Sequence, residues 1–350
     1  MKKVLFFGIY NPDYARARVL KNGFERNGWE VSGCRVNPRE KRGIWKYVAL
    51  FRMGLDARKE KYDLVLVCFP GQSVVWLARL LFGRDIIFDA FLSLYDSNVF
   101  DRKVYGEKSL RARRDKFLDW WSCTLARKVL IDTYSLQEYF VTTFGIPREK
   151  FIRVLISADD TTFYPLHVPE ETVFTVHFHG TFIPLQGVTH IVEAANLLRN
   201  ESIRFRIVGH GQESPVIDAK IKELNLESII ERVPKVPVEQ IPGYMAGAHV
   251  VLGIFGDTDK AKRAIPNKVY EAMAMGKAII TSDTIGIHEL SDADTVFSLV
   301  PVADPKALAS AILELKKDES RRLALGKAAL DLFNRELKPE RIVASMLKSL

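Results

Sequence analysis

The 350-residue chain has little cysteine and no long apolar run, and each shortage excludes something. Its three cysteines, Cys34, Cys68 and Cys123, are odd in number and show no C-x-x-C spacing. They argue for a reducing compartment and against a disulfide framework or a zinc ribbon. No window approaches the roughly 18 apolar residues of a membrane span. Met1-Lys2-Lys3 before the apolar run at 4–9 imitates a signal peptide. The run is too short, and Asn11-Pro12-Asp13 closes it, so a first buried strand is expected instead. Low-complexity segments and internal repeats are absent. No Ser/His/Asp set or Cys/His pair falls in a recognisable motif, so covalent catalysis by a side chain is not indicated. Only Gly8 follows the first strand, and Gly209-His210-Gly211 has no third glycine at the required place. The dinucleotide fingerprint is therefore missing from both halves.

What is present is a globular composition, 47% apolar, in a chain long enough for two ordinary domains. The net charge of +8 is unevenly placed. Residues 1–160 hold 29 Lys+Arg against 19 Asp+Glu, a net of +10, and the remainder 22 against 24, a net of −2. Two basic-aromatic clusters stand out in the first half: Lys41-Arg42-Gly43-Ile44-Trp45-Lys46-Tyr47, and Arg111-Ala112-Arg113-Arg114 leading to Trp120-Trp121. Basic residues mixed with Trp and Tyr suit an anionic membrane surface. A solvated helix face with core aromatics behind it is the plainer reading of each cluster alone. Nucleic acid is disfavoured, because no nucleic-acid motif accompanies the charge.

Strands and helices alternate throughout, which predicts an α/β protein with parallel sheets. In the first half strands are expected at 4–9, 30–35, 64–67, 86–88, 129–131 and 152–155. Helices are expected near 15–27, 45–58, 74–81, 110–126 and 136–143. In the second half strands are expected at 173–179, 204–208, 229–233, 250–252, 278–281 and 296–299. The helices there are expected near 189–198, 216–224, 240–246, 268–275, 305–316 and 320–335. The polar stretch 161–172, carrying Pro165 and Pro169, reads as a linker between a domain at 1–160 and one at 173–332. The remainder, 333–350, contains a terminal amphipathic helix after Lys338-Pro339.

The most informative stretch runs from Asn267 to Thr281. Val269, Ala272 and Met273 make one apolar helical face, Gly276 ends the helix, and a buried strand follows. Pro266 and Asn267 stand at the front of that helix, and Glu271 lies one turn inside. Free N–H groups at a helix N-terminus bind phosphate. A carboxylate one turn further in can accept hydrogen bonds from the two hydroxyls of a ribose. The segment is built like a site for a nucleoside diphosphate. Helix N–H groups at Ile265 to Lys268 and the cations Lys262, Arg263 and Lys268 can meet charge on a departing diphosphate. His177 and His179, at i and i+2 on one strand, can bind zinc. No further ligand sits at a convincing spacing, so no metal is expected, and His179 is expected to line a cleft instead.

This stretch resembles the C-terminal signature of the family 4, or group 1, glycosyltransferases. Three further motifs resemble that family in the right order. They are Phe178-His179-Gly180-Thr181-Phe182-Ile183-Pro184-Leu185-Gln186-Gly187, Phe205-Arg206-Ile207-Val208-Gly209-His210-Gly211, and Val236-Pro237 through Ile241-Pro242-Gly243-Tyr244-Met245-Ala246. The resemblance covers most of 173–332 and is much weaker in the first 160 residues. It implies the GT-B fold, two Rossmann-like domains facing across a cleft, with the last helix crossing back to the first domain. It also implies a retaining, metal-independent glycosyltransferase that needs no cofactor. Such an enzyme takes a nucleotide-diphosphate sugar and a lipid-linked or saccharide acceptor in polysaccharide or glycolipid synthesis. The basic first half, with Trp45, Tyr47, Trp120 and Trp121, suggests a cytoplasmic place, peripheral on the inner face of the membrane, with an anionic surface and no nucleic acid as partner.

On this reading Arg263 and Lys268 are the candidate catalytic cations. The donor is expected to touch Gly180, Thr181, Gln186, Gly209, Gly211, Val233, Ile265, Pro266, Asn267 and Glu271. Its base lies near Val233 to Val236 and its ribose on Glu271. Asn11, Tyr14, Arg16, Asp89 and Asp96, in loops after the first and fourth strands, are expected on the acceptor side. The family pattern is departed from in four places. Arg263 stands where many members have a Glu. Thr181 and Gln186 stand where many have an Arg and a Lys. No His lies near the Asp89–Asp96 loop. A nucleotide-sugar epimerase and a non-catalytic nucleotide-sugar-binding partner stay open as alternatives. Asp257-Thr258-Asp259 imitates the D-x-D metal signature of GT-A enzymes, but Asp292-Ala293-Asp294 shows how cheap that pattern is.

Overall fold

The computed structural model describes residues 1–37 and 43–350. The chain divides into unit 1, residues 1–157 with 338–350, and unit 2, residues 158–337. Among the described residues each unit is built on one six-stranded sheet, parallel throughout. Such sheets need apolar residues on both faces. The fully buried runs Leu64–Val67 and Ile86–Asp89 in unit 1 are of this kind.

In unit 1 the strands are β1 (Lys2–Gly8), β2 (Trp29–Arg35), β3 (Leu64–Val67), β4 (Ile86–Asp89), β5 (Lys128–Ile131) and β6 (Phe151–Arg153). Their order is β2-β1-β3-β4-β5-β6. The connecting helices are α1 (Ala15–Arg26), α2 (Trp45–Ala57), α3 (Val75–Phe82), α4 (Leu110–Leu125) and α5 (Tyr134–Phe144). Side-chain oxygens of Ser109 and Thr133 cap α4 and α5 by accepting the Ala112 and Leu136 N–H groups. Such caps are worth about 1 kcal/mol each.

In unit 2 the strands are β7 (Phe174–Gly180), β8 (Ile203–Gly209), β9 (Ile230–Val233), β10 (Val250–Leu252), β11 (Ala278–Ser282) and β12 (Ser298–Val300). Their order is β12-β11-β10-β7-β8-β9. Helices α6 (Val188–Leu197), α7 (Ser214–Glu223), α8 (Ile241–Ala246) and α9 (Asp259–Arg263) come first. They are followed by α10 (Asn267–Ala274), α11 (Ala293–Val296), α12 (Pro305–Lys317) and α13 (Glu319–Leu332). The short turn of α11 takes residues 293–296, so β12 starts two residues later than the sequence suggests. The terminal helix α14 (Pro339–Lys348) packs on α1 within unit 1. Gly23 makes that approach possible, since a β-carbon there would lie 2.4 Å from Pro339 O. Arg26 pairs with Glu340 at 2.9 Å beside it.

The stretch expected as a linker is anchored on unit 2. Phe163 is buried, Glu170 pairs with Arg322 at 2.9 Å, and Glu171 with Arg206 at 2.6 Å. The chain leaves unit 1 at Ser157 and returns at Lys338. In each sheet the strand order reverses once, between β1 and β3 and between β7 and β10. Ligands of open α/β sheets bind outside the strand carboxyl ends at these switch points.

Candidate active site

In unit 2 the switch point is lined by the loop after β7, residues 181–187, and by the start of α10. Gly187 turns the chain at φ 63°, and a β-carbon there would lie 2.4 Å from Gly256 N. The loop can therefore sit directly on the backbone that follows β10. Gly180 and Gly209 are register partners at the ends of β7 and β8. A β-carbon on Gly209 would fall 2.0 Å from Gly180 O, and one on Gly211 2.4 Å from Phe182 O. Both glycines thus serve close backbone approach within the protein, beside the place expected for the nucleotide.

Lys268 reaches from the first turn of α10 toward this loop. Its side chain is buried, its Nζ donates to Gln186 Oε1, and it lies 3.9 Å from the centroid of the Phe178 ring. A β-carbon on Gly180 would be 3.1 Å from the same Nζ. Burial holds the Lys268 ammonium well below the usual lysine range, opposed by the Glu271 charge. Position 186, where many family members carry a loop lysine, here supplies the acceptor for a lysine that arrives from the helix.

Glu271, one turn further along α10, is 7% exposed and pairs through Oε2 with His179 Nε2 at 2.7 Å. His179 Nδ1 in turn lies 3.0 Å from His177 Nε2. Because an ionised carboxylate only accepts, the protons are assigned in one direction: His177 Nε2–H to His179 Nδ1, and His179 Nε2–H to Glu271. This leaves His177 Nδ1 as a bare acceptor, and that buried atom has no partner. Burial holds His177 far below the usual imidazole range, consistent with a neutral ring. His179, expected to line a cleft, thus forms with His177 a relay that holds the carboxylate. Their i, i+2 spacing was the signal; their joint target was not legible.

The other donor-side candidates are spread around this locus. Thr181 is exposed, Gln186 buried, and Pro266 and Asn267 half-buried at the start of α10, whose first turn no side chain caps. Ile265 is 1% exposed and so part of the packing. Val233 ends β9, two strands from β7. Arg263 closes α9, with the Gly286 α-carbon packed against its backbone. Thr258 of the D-x-D look-alike caps α9 by accepting the Ala261 N–H. Among the described residues no group of three or more His, Cys, Asp or Glu is arranged as a metal site.

Unit 1 buries three of the acceptor-side candidates, Arg16, Asp89 and Asp96. Arg16 and Asp89, each 1% exposed, form an internal ion pair at 2.9 Å, and Arg16 also donates to the Val154 and Leu155 carbonyls. Burial turns both inward, where they brace the strand ends. Asp96 is likewise buried, its N–H donating to Ser93 Oγ. That loop is held by Asp119 of α4, which accepts from Ser93 Oγ at 2.7 Å and from the Leu94 and Tyr95 N–H groups. Burial pushes the Asp119 carboxyl up to about 7. Asn11 and Tyr14 stay at the surface. Tyr14 belongs to an aromatic group that sequence reasoning missed, 5.7 Å from Phe69 and 6.1 Å from Phe91 between ring centroids. Its members come from the segments that follow β1, β3 and β4, so only the sheet order assembles them.

Residues 173–318 match the model of the family described as glycosyl transferases group 1. Over this part of its length the chain is similar to the group 1 glycosyltransferases. It is 28% identical over 218 residues to a putative colanic acid biosynthesis glycosyltransferase, WcaL, of Escherichia coli (strain K12), covering 59% of this chain and 53% of that one. It is 28% identical over 183 residues to the amylovoran biosynthesis glycosyltransferase AmsK of Erwinia amylovora, covering 51% and 42%. The chain thus spans about half the length of the curated relatives it matches. Anabaena Alr3699/HepE in complex with UDP-glucose superposes with a TM-score of 0.75 at 15% identity, over 100% of both chains. Sucrose-phosphate synthase from Thermosynechococcus elongatus gives 0.76 at 16%, over 99% and 98%. At such identities the likeness carries the fold, which is GT-B with two Rossmann-like units.

Proposed function

We propose that this chain is a retaining glycosyltransferase of group 1. It moves a sugar from a nucleotide-diphosphate sugar to a hydroxyl of a lipid-linked or saccharide acceptor, in cell-surface polysaccharide or glycolipid synthesis. The observation that carries the reading is the joint placement of Lys268 and Glu271 on α10, one against the glycine-bounded loop and the other held by His179. Retention and independence from a metal rest on the family resemblance. The biosynthetic context rests on the names of the relatives, and a UDP-sugar donor on the HepE complex.

As the sugar leaves, charge grows on the diphosphate. A buried ammonium and the uncapped first turn of α10 meet that charge where little water competes. Lys268 is the main cation on this reading, and Arg263, at the end of α9, is the second. Glu271 spends Oε2 on His179 and offers Oε1 to the ribose hydroxyls. Unit 1 holds the acceptor, with Tyr14 and Asn11 as the exposed candidates. The chain works peripherally at the cytoplasmic leaflet, which its basic first half would favour.

Glu271→Gln keeps the shape and loses the charge-assisted hydrogen bonds to the ribose, each worth about 1.5–3 kcal/mol. Calorimetry with UDP should show affinity falling at least roughly tenfold, with the fold intact by circular dichroism. An unchanged UDP affinity sinks the site. Tight binding with no donor hydrolysis or transfer to any acceptor assigns the chain to the non-catalytic alternative instead.

A further inference from the structure

Outside the candidate active site, unit 1 carries a large apolar groove between α2, α3 and α4, with a volume of about 1000 Å³. Phe51, Trp76, Leu77, Leu80, Leu118 and Trp121 line it. Side chains of this kind usually point inward, yet Leu80 is 65% exposed and Phe51 37%. Exposed apolar surface this concentrated marks an interaction site. The ring nitrogen of Trp76 donates to Ser73 O at 2.9 Å, so the indole asks nothing polar of a ligand. Trp121 is backed by Phe117, stacked at 5.6 Å.

Two cations stand in the same lining, Lys46 and Arg114. Arg114 is tied to Asp115 at 2.8 Å but keeps a largely exposed side chain. Lys46 lies over the Tyr47 ring at 5.2 Å, and no carboxylate pairs with it among the described residues. Of the basic clusters in the sequence, Lys41 and Arg42 lie outside the described residues, while Lys46 and Arg114 lie in this lining. An apolar trough with one unpaired cation, Lys46, and one exposed guanidinium, Arg114, is complementary to a hydrocarbon chain ending in an anion. A flat bilayer would not need a concavity, whereas a single chain does.

We propose that the groove between α2, α3 and α4 binds one long hydrocarbon chain of a phosphate-headed amphiphile, the lipid anchor of the acceptor, with the phosphate held by Lys46 and Arg114. The identity of that anchor rests on the reading of a lipid-linked acceptor; the binding itself does not. The test uses the full chain and 12-bromododecyl phosphate kept below its micelle-forming concentration. Bromine on the chain quenches nearby indoles, and Trp76 and Trp121 line the groove.

The expected result is saturable, one-to-one quenching. Leu80→Asp should weaken it roughly tenfold or more, because burial of that exposed side chain is lost. Lys46→Ala should weaken it by about tenfold, while inorganic phosphate at the same concentration does not compete. Circular dichroism and UDP binding report whether each variant is folded. The proposal is overturned if the monomeric probe gives no saturable quenching while anionic vesicles still sediment the protein, since the face then docks on a bilayer only. It is equally overturned if Leu80→Asp binds the probe as the parent does. A chain that takes the probe but not UDP refutes the transferase reading and leaves the groove standing; the reverse result refutes the groove alone.

Discussion

Lys268→Met should make the protein no less stable and much less active. The ammonium is 4% exposed, its one acceptor among the described residues is the neutral Gln186 amide, and another close neighbour is the Phe178 ring. It has given up hydration for a single hydrogen bond and a cation–π contact. Methionine has similar length and no charge to bury. Exchanging buried charged groups for apolar side chains of similar volume is often neutral or stabilising by about 1–4 kcal/mol. The functional loss runs the other way. Removing one charged donor to the diphosphate should cost about 1.5–3 kcal/mol in UDP affinity and on the order of a hundredfold in kcat.

The charge state supplies a second readout. Burial lowers the Lys268 pKa in the folded chain, while the unfolded chain keeps the ordinary value of about 10.4. Between those two values the unfolded chain holds one more proton, so this group makes stability rise with pH across that window. Lys268→Met should abolish that rise. A bound diphosphate favours the charged form, so binding should take up a proton at a pH between the folded and the ordinary lysine values. Calorimetry in two buffers of different ionisation enthalpy detects it, and the variant should show none. The reasoning fails if Lys268→Met loses more than about 2 kcal/mol of stability in denaturant. It also fails if the variant binds UDP as the parent does.

Two further predictions concern unit 1. Arg16→Met leaves Asp89 buried without its partner and should cost about 3–5 kcal/mol, measured on the denaturant transition of this unit. Arg16→Met with Asp89→Leu should recover most of that loss; a double variant as unstable as the single would show that the pair braces the strand ends through geometry alone. Asp119, raised to about 7 in the fold from about 3.9 unfolded, contributes stability that is fully present below the unfolded value and lost as pH rises through 7. Stability of unit 1 should therefore fall between about pH 4 and 7 on account of this group, and Asp119→Asn should flatten that slope.

The doubly wound architecture was legible because fully buried strands read as unbroken apolar runs and helices as 3.6-residue stripes. All twelve expected strands are found within a few residues of their expected ends. The limits appear where local pattern competes with packing. The expected strand at 296–299 loses its start to α11, and the expected helix 320–335 ends as α13 at Leu332 in a wide turn, Phe333–Leu337. The polar stretch near Pro165 and Pro169 read as a free connector because polarity was visible and Arg206 and Arg322, its partners, were distant.

The candidate active site shows the same division. Gly180, Gly187 and the start of α10 follow from local sequence, since a turn at positive φ and a helix beginning at Pro266 are decided by neighbouring residues. What those elements do to one another is decided by the fold. Lys268 meets Gln186 across 82 residues, Glu271 meets His179 across 92, and Arg16 meets Asp89 across 73. Nothing in the spacing of residues so far apart says whether they touch. Sequence alone determined the alternation of strands and helices and the chemistry available at each loop. Tertiary structure decided which groups are buried against which, because parallel strand order brings loops together that the chain keeps far apart. Burial then turned an open-looking Arg and Asp into an internal brace and a helix lysine into the cation beside the loop.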